Sequence, residues 1–428
     1  MTMESSTTPA VANAPQWKAA LLGFVTMFSV GTVYALSTLQ IEIPRLLEVS
    51  PQWSYTLFAA ASLGLSIGVR ICASCMAVYG EYSVAIGGTA IWGIAVASMG
   101  FFLATIPSLL GVIGSLLIGG IAVGLTYLAT VVSVGQAFPN QPLARSAIGP
   151  LGFSSGTGSW LAVWSYLRVE ARSARQVQDV LWTGGAVVIC MAAAAYVLAP
   201  NQRARSPSPI SPRGSEKPSG RRFFLILLFC NALPGMAAFG SLLPITSFYT
   251  QRTTGEALNI LPRLMIALAL GGLFASTISS RLGARQTFVM LFCARGLLLV
   301  ITSLSPTLPI ATVTLLVIFF AHGAGFSLIP GLVKAQQTRR STTFPREYGE
   351  VLTAWGVAGI LGNIINAAFV PPSGDATFVS FLLGLASLTF GIILSSISLA
   401  HWVHSLDVNP PRRLESHLRR QEFEGCPT

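Results

Sequence analysis

NQRARSPSPISPRGSEKPSGRR, residues 201–222, is the only long interior run of this 428-residue chain with almost no hydrophobic side chain, and six of its residues are Arg or Lys against one Glu. Ser, Pro, Gly and Arg at this density bury too little apolar surface to offset the entropy of ordering, so the stretch reads as a flexible basic linker. Roughly equal lengths of chain lie on either side, and each is a train of long apolar segments.

Composition sets the class of protein. Hydrophobic residues make up 52% of the chain and charged residues only 10%, against about 25% charged in soluble proteins. A soluble globule of this size has no interior large enough for that much apolar surface, whereas lipid accepts it. A helix crosses the hydrocarbon with about 20 apolar residues. Segments of that kind fall near 17–41, 53–80, 82–104, 109–137, 146–167 and 180–199, and again near 223–250, 258–280, 285–304, 309–333, 348–370 and 376–404. The expected fold class is all-α integral membrane, with about twelve transmembrane helices in two pseudo-symmetric six-helix bundles. The expected organisation is a polar tail at 1–16, a bundle at 17–199, the linker at 200–222, a second bundle at 223–405 and a tail at 406–428. The first 16 residues carry neither a signal-peptide pattern nor an Arg-rich presequence.

The formal net charge of +11 does not point to nucleic acid, because the basic residues sit in short loops between apolar runs. With the N-terminus cytoplasmic, the loops on that side hold Arg145, Arg281, Arg285, Lys334, Arg339, Arg340 and Arg346, and the tail adds Arg412, Arg413, Arg419 and Arg420. The opposite side has mainly Arg45, Arg168, Arg172, Arg175 and Arg252, partly offset by Glu42, Glu48, Glu170 and Glu256. This positive-inside bias predicts both termini in the cytoplasm. Six Cys give no disulfide framework. Cys72 and Cys75 form a C-x-x-C inside a predicted span, where packing is the favoured reading over metal or redox chemistry. Neither a cofactor nor a metal is implied.

The halves also resemble each other. GLTYLATVVSVGQAFP at 124–139 followed by GPLGFSSGTGSW at 149–160 has a counterpart in GFSLIPGLVKAQQTRRSTTFP at 325–345 followed by WGVAGILGN at 355–363. The offset is 201 from Gly124 to Gly325 and 204 from Gly152 to Gly356. Parallel repeats of this kind are what a two-halved transporter predicts. Gly156, Gly158, Gly359 and Gly362 supply small faces for close helix packing; generic membrane-helix packing explains those glycines but not their matched placement.

No Asp or Glu falls in the middle of a span, so a buried carboxylate relay and an acidic channel ring are both disfavoured. Arg295 lies mid-span, Arg263 near the outer start of the eighth span and Arg70 late in the second. A central Arg costs about 2.5–3.5 kcal/mol to insert, which makes each a functional candidate. The alternatives are snorkelling for Arg70 and Arg263, and a helix-to-helix tie for Arg295. His322, in FFAHGAGFSLIPG, is the one His inside a span; donation to an anion and a bond to a neighbouring helix are both open. Tyr34, Ser37, Tyr127, Gln136, Asn231, Asn363 and Asn366 are the other polar side chains with access to a central cavity.

These stretches resemble the major facilitator superfamily. Within it, GTVYALSTLQIEIP at 31–44 with QWSYTLFAAASLGLSIG at 52–68, the 124–160 stretch, and FFAHGAGFSLIPG with REYGEVLTAWGVAGILGN at 346–363 look like the oxalate:formate antiporter and monocarboxylate transporter families. The resemblance implies that Tyr34 and Tyr127 line the substrate cavity and that Phe326 is a cavity aromatic. It also puts His322 where oxalate carriers have Trp, Trp355 where they have a pairing Lys, and Gly272 where both families have a carboxylate-binding Arg. Without those two cations a dicarboxylate lacks its partners. The gating motif that the superfamily has after its second span is reduced here to Ala77, Val78, Tyr79 and Gly80, and its second-half copy to Ser279, Ser280, Arg281, Leu282 and Gly283.

The reading is a secondary carrier working by alternating access, with no enzyme constellation. A small monocarboxylate such as a pyruvate-like acid is the first expectation if His322, Arg263 or Arg295 supplies a positive group, and a neutral solute if none does. The candidate substrate-binding set is Tyr34, Tyr127, His322, Phe326, Trp355, Arg263 and Arg295. The partners are a small organic anion or neutral solute and the lipid bilayer, with proton or counter-anion coupling left open. A non-transporting membrane sensor on a carrier fold is the competing class, motivated by the reduced motif and by Ser206, Ser208 and Ser211, each followed by Pro in the linker.

Overall fold

The structure, a computed structural model, describes residues 16–40, 42–139, 141–167, 173–199, 221–240, 261–305, 307–337, 344–371 and 375–397. Twelve helices of 20 residues or more run through these segments, six before the linker and six after it. They are α1 (Gln16–Ala35), α2 (Trp53–Tyr79), α3 (Glu81–Ala104), α4 (Leu109–Ala137), α5 (Pro142–Leu167), α6 (Ala174–Leu198), α7 (Arg221–Gly240), α8 (Leu261–Leu282), α9 (Ala284–Leu304), α10 (Leu308–Gln337), α11 (Phe344–Phe369) and α12 (Thr377–Ser396). Eleven are long and apolar enough to cross a membrane; α5 is the twelfth. Its Gly and Ser/Thr residues lower its hydropathy because they face protein. Gly156 lies on the backbone of Phe28, and Thr157 donates to the Gly31 carbonyl at 2.7 Å.

Local chemistry sets several boundaries. The helix of the first span ends at Ala35, six residues short of the predicted 41, and continues as a 3-10 turn over Leu36–Leu39. Thr38 Oγ1 donates to the Ala35 carbonyl at 2.8 Å, the i−3 geometry that suits the tighter turn. The fifth and sixth helices start earlier than predicted. Pro142 suits a first helical position, where its missing N–H is no loss, and Ser173 with Gln176 forms a capping box ahead of α6. Arg221 and Arg222, assigned to the linker from composition, are the first turn of α7. The rest of the linker, with its three Ser-Pro sites, lies outside the described residues, as do both tails.

Helix pairing repeats with a shift of six. In the first bundle α1 packs on α5, α2 on α4 and α3 on α6; in the second, α7 packs on α11, α8 on α10 and α9 on α12. The bundles meet through α2 against α11 and α5 against α8, two contacts that exchange under the same shift. The loops repeat as well. Gly80 between α2 and α3 has φ 79° and Gly283 between α8 and α9 has φ 84°, the two positive-φ glycines among the described residues. That left-handed turn suits Gly because it carries no Cβ. Both end the reduced gating motif and lie 203 residues apart, inside the 201–204 offset of the internal repeat.

Even helix counts place the start of α1, the end of α6, the start of α7 and the end of α12 on one face of the membrane, termed here the linker face. The starts of α2, α8 and α12 lie at the opposite face.

Candidate functional site

Aromatic side chains from both bundles converge where the halves meet. Tyr34 stands near the end of α1, His322 and Phe326 one turn apart on α10, and Trp355 near the middle of α11. The Trp355 indole N–H donates to the Tyr34 hydroxyl oxygen at 2.7 Å, and that hydroxyl lies 3.0 Å from His322 Nε2. Met236 Sδ on α7 accepts at 3.3 Å from Tyr34 and at 3.2 Å from Trp355. One oxygen from the first bundle is thus shared among three residues of the second.

Rings close around this bridge. Phe239 lies 3.9 Å from Tyr34 by centroid and Phe153 5.0 Å. Trp355 has Phe326 at 4.8 Å, Tyr127 at 5.0 Å and Phe153 at 5.9 Å, with the ring planes steeply inclined. Such edge-to-face pairs contribute about 0.5–1.5 kcal/mol each beyond area burial. Tyr34, Tyr127, His322, Phe326 and Trp355 are all buried, so the site is closed to water in this conformation. His322 Nδ1 has no hydrogen-bond partner and faces Gly235, where a Cβ would lie 2.8 Å from the imidazole Cγ. Asn231 borders the same corner, its Nδ2 3.4 Å from the His322 carbonyl and its Oδ1 unpartnered.

The two arginines of the candidate set are elsewhere. Arg295 is fully buried, but its guanidinium donates to the backbone carbonyls of Asn231 at 2.9 Å and Cys230 at 3.0 Å, and it lies over the Phe292 ring. The cause is Pro234. Proline has no N–H, so the Cys230 carbonyl four residues earlier loses its helical donor, and Arg295 replaces it. The helix-to-helix tie is the reading this geometry matches. Arg263 is exposed in the first turn of α8. Gly272, the position that the resemblance aligns with a carboxylate-binding Arg, packs against the Pro150 ring.

Five of the seven candidate residues therefore come together. Met236, Phe239 and Phe153 were missed. A signal was present for two of them: Met236 is 202 residues beyond Tyr34, and Trp355 is 202 beyond Phe153, both inside the repeat offset. Asn366 belongs to a separate small cavity of about 30 Å³ bordered by Pro234, Thr302 and Thr314. Among the described residues, no three His, Cys, Asp or Glu side chains cluster as a metal site would need.

No protein-family model matches the sequence, and no curated protein is significantly similar to it. Solved structures do share its fold. A crystal structure of a D-xylose–proton symporter is similar with a TM-score of 0.68 at 13% identity, over 89% of this chain and 96% of that one. The nucleoside transporter NupG, in a mutant form, is similar with a TM-score of 0.63 at 16% identity, over 89% and 99%. The protein is a multi-pass membrane protein with the major facilitator fold. At these identities the likeness is one of fold.

Proposed function

We propose that the protein is a secondary carrier that moves a small, uncharged, ring-containing polar solute by alternating access. One observation carries the choice of substrate class: among the described residues, no free cation faces the central aromatic cluster. Arg295 is bound to two carbonyls and Arg263 is exposed at a helix start. A carboxylate placed among these rings would meet only neutral donors, and a poorly paired buried charge is costly. Ring faces suit a sugar-like or heterocyclic ring, and Tyr34, Trp355 and His322 offer the few polar contacts that orient it. The xylose symporter and the nucleoside transporter that share the fold are named for solutes of this kind.

A pyruvate-like monocarboxylate is the second reading. It is favoured by the Trp355 indole N–H and the Tyr34 hydroxyl sharing one corner with His322. Counterflow in liposomes separates the two. Purified protein is preloaded with unlabelled pentose, nucleoside, pyruvate or oxalate, and the matching labelled solute is added outside. Accumulation of a neutral solute, unaffected by pyruvate, is the expected result. Accumulation of pyruvate instead would establish the second reading, and no accumulation of any solute by folded protein would overturn the carrier reading.

A further inference from the structure

The reduced motif after α2 leaves Val78 and Tyr79 73% and 67% exposed at the end of that helix, with no charge among Ala77, Val78, Tyr79 and Gly80. A compact ion cluster stands nearby on the same face. Glu350, two turns into α11, is 13% exposed by its side chain and is surrounded by three arginines. Arg70 of α2 lies 3.2 Å away by Nη1 to Oε1, Arg221 of α7 pairs through Nη1 with Oε2, and Arg346 lies one turn earlier on α11 at 3.9 Å. Arg221, Arg346 and Glu350 all belong to the second bundle. The Arg70–Glu350 pair alone crosses to the first.

The helices that carry this pair are in direct contact. A Cβ on Gly349 would lie 2.6 Å from the Val69 carbonyl oxygen, and Gly356 and Gly359 lie against Ser62 and Ser66. Ser66 Oγ donates to the Thr353 carbonyl at 3.2 Å. Glu350 is five residues before Trp355, so one rigid helix links the ion cluster to the central aromatic bridge.

We propose that Arg70 and Glu350 form the latch that holds the linker face shut, with Arg221 and Arg346 positioning the carboxylate from within its own bundle. This rests on the alternating-access reading. Three guanidiniums around one carboxylate fix its rotamer and leave Oε1 turned toward α2. Opening the linker face separates α2 from α11 and, within the ion cluster, breaks only the Arg70 contact, because the other two pairs move with Glu350; the Ser66–Thr353 hydrogen bond and the glycine packing part with it. Arg70 is 55% exposed, so water and salt screen the pair, and its effect on the closed population is modest, about fivefold.

The test is a spin-label distance between Tyr79→Cys and Leu282→Cys, the equivalent ends of α2 and α8, in a background with the six native Cys replaced. Both sites are exposed, and the readout needs no substrate. The parent is expected to show one short population. Arg70→Gln and Glu350→Gln should raise a longer population about fivefold, whereas Arg346→Gln should leave the distribution as in the parent. An unchanged distribution in Arg70→Gln, or Arg346→Gln opening the face as far as Arg70→Gln does, would overturn the proposal. Melting temperature identifies any variant that has lost its fold, and Arg70, being exposed, is the safer of the two. A failed counterflow assay would leave this distance result standing.

Discussion

Tyr34 and Arg295 separate two uses of a buried polar side chain in one membrane protein. The Tyr34 oxygen is shared by Trp355, His322 and Met236 across the bundle boundary. Tyr34→Phe keeps the ring and removes that oxygen, so counterflow is expected to fall about tenfold, which corresponds to about 1.4 kcal/mol, with the melting temperature nearly unchanged. Transport at the parent rate would remove the bridge from the site. Arg295→Ala is expected to do the reverse. It strips the Cys230 carbonyl of the donor that replaces the missing Pro234 N–H, at about 1–3 kcal/mol, and lowers the melting temperature in detergent by several degrees. The order in which solutes compete should not change; a changed order would return Arg295 to the substrate site. The sequence marked Arg295 as a buried cation. Its partners are backbone atoms, and the clue to them was Pro234 four residues after Cys230.

At the level of elements, the α2–α3 and α8–α9 turns are copies of one device. Each closes on a single positive-φ glycine that lets two long helices reverse without a loop. Gly80→Ala is expected to destabilise by about 1–3 kcal/mol, because its φ of 79° with ψ of 157° is a backbone region essentially reserved for glycine, and Gly283→Ala by a similar amount. Thermal unfolding of both variants checks this, and a neutral effect at either would show that the turn relaxes. Among the described residues helix existence was legible because eleven of the twelve helices are defined by their own runs of apolar residues. Boundaries were less so. α5 and α6 begin earlier than hydropathy suggests, since Pro142 and the Ser173–Gln176 box act on the backbone and not on the mean apolarity. The charged start of α7 was hidden because Arg221 is held by Glu350, a residue 129 positions away.

Across the whole molecule, the six-shifted helix pairing shows one packing scheme used twice. One bundle supplies its own packing rules twice, and the contacts between bundles form two equivalent pairs, α2 with α11 and α5 with α8. An even number of long helices returns the start of α1 and the end of α12 to one face, and the distribution of Arg and Lys predicts that this face is cytoplasmic. Impermeant thiol labelling of single Cys residues placed near each terminus, in right-side-out vesicles, should leave both unlabelled until the membrane is permeabilised. Labelling of either terminus in sealed vesicles would reverse the orientation.

What the sequence determined by itself was the medium, the number of spans, the halved organisation and the repeat offset. These follow from composition and spacing within short windows, because a lipid-facing crossing takes about 20 apolar residues; among the described helices only α5, packed against protein, falls short of that. It also brought forward Tyr34, Tyr127, His322, Phe326 and Trp355, through the resemblance and the rarity of polar side chains in spans. Only the tertiary structure decided that Arg295 faces carbonyls, that Met236 completes the bridge and that Glu350 gathers three arginines. In a membrane the lipid-facing and protein-facing sides of a helix are both apolar, so hydrophobicity carries little information about which sides meet. That choice is made where helices cross, between residues far apart in the chain.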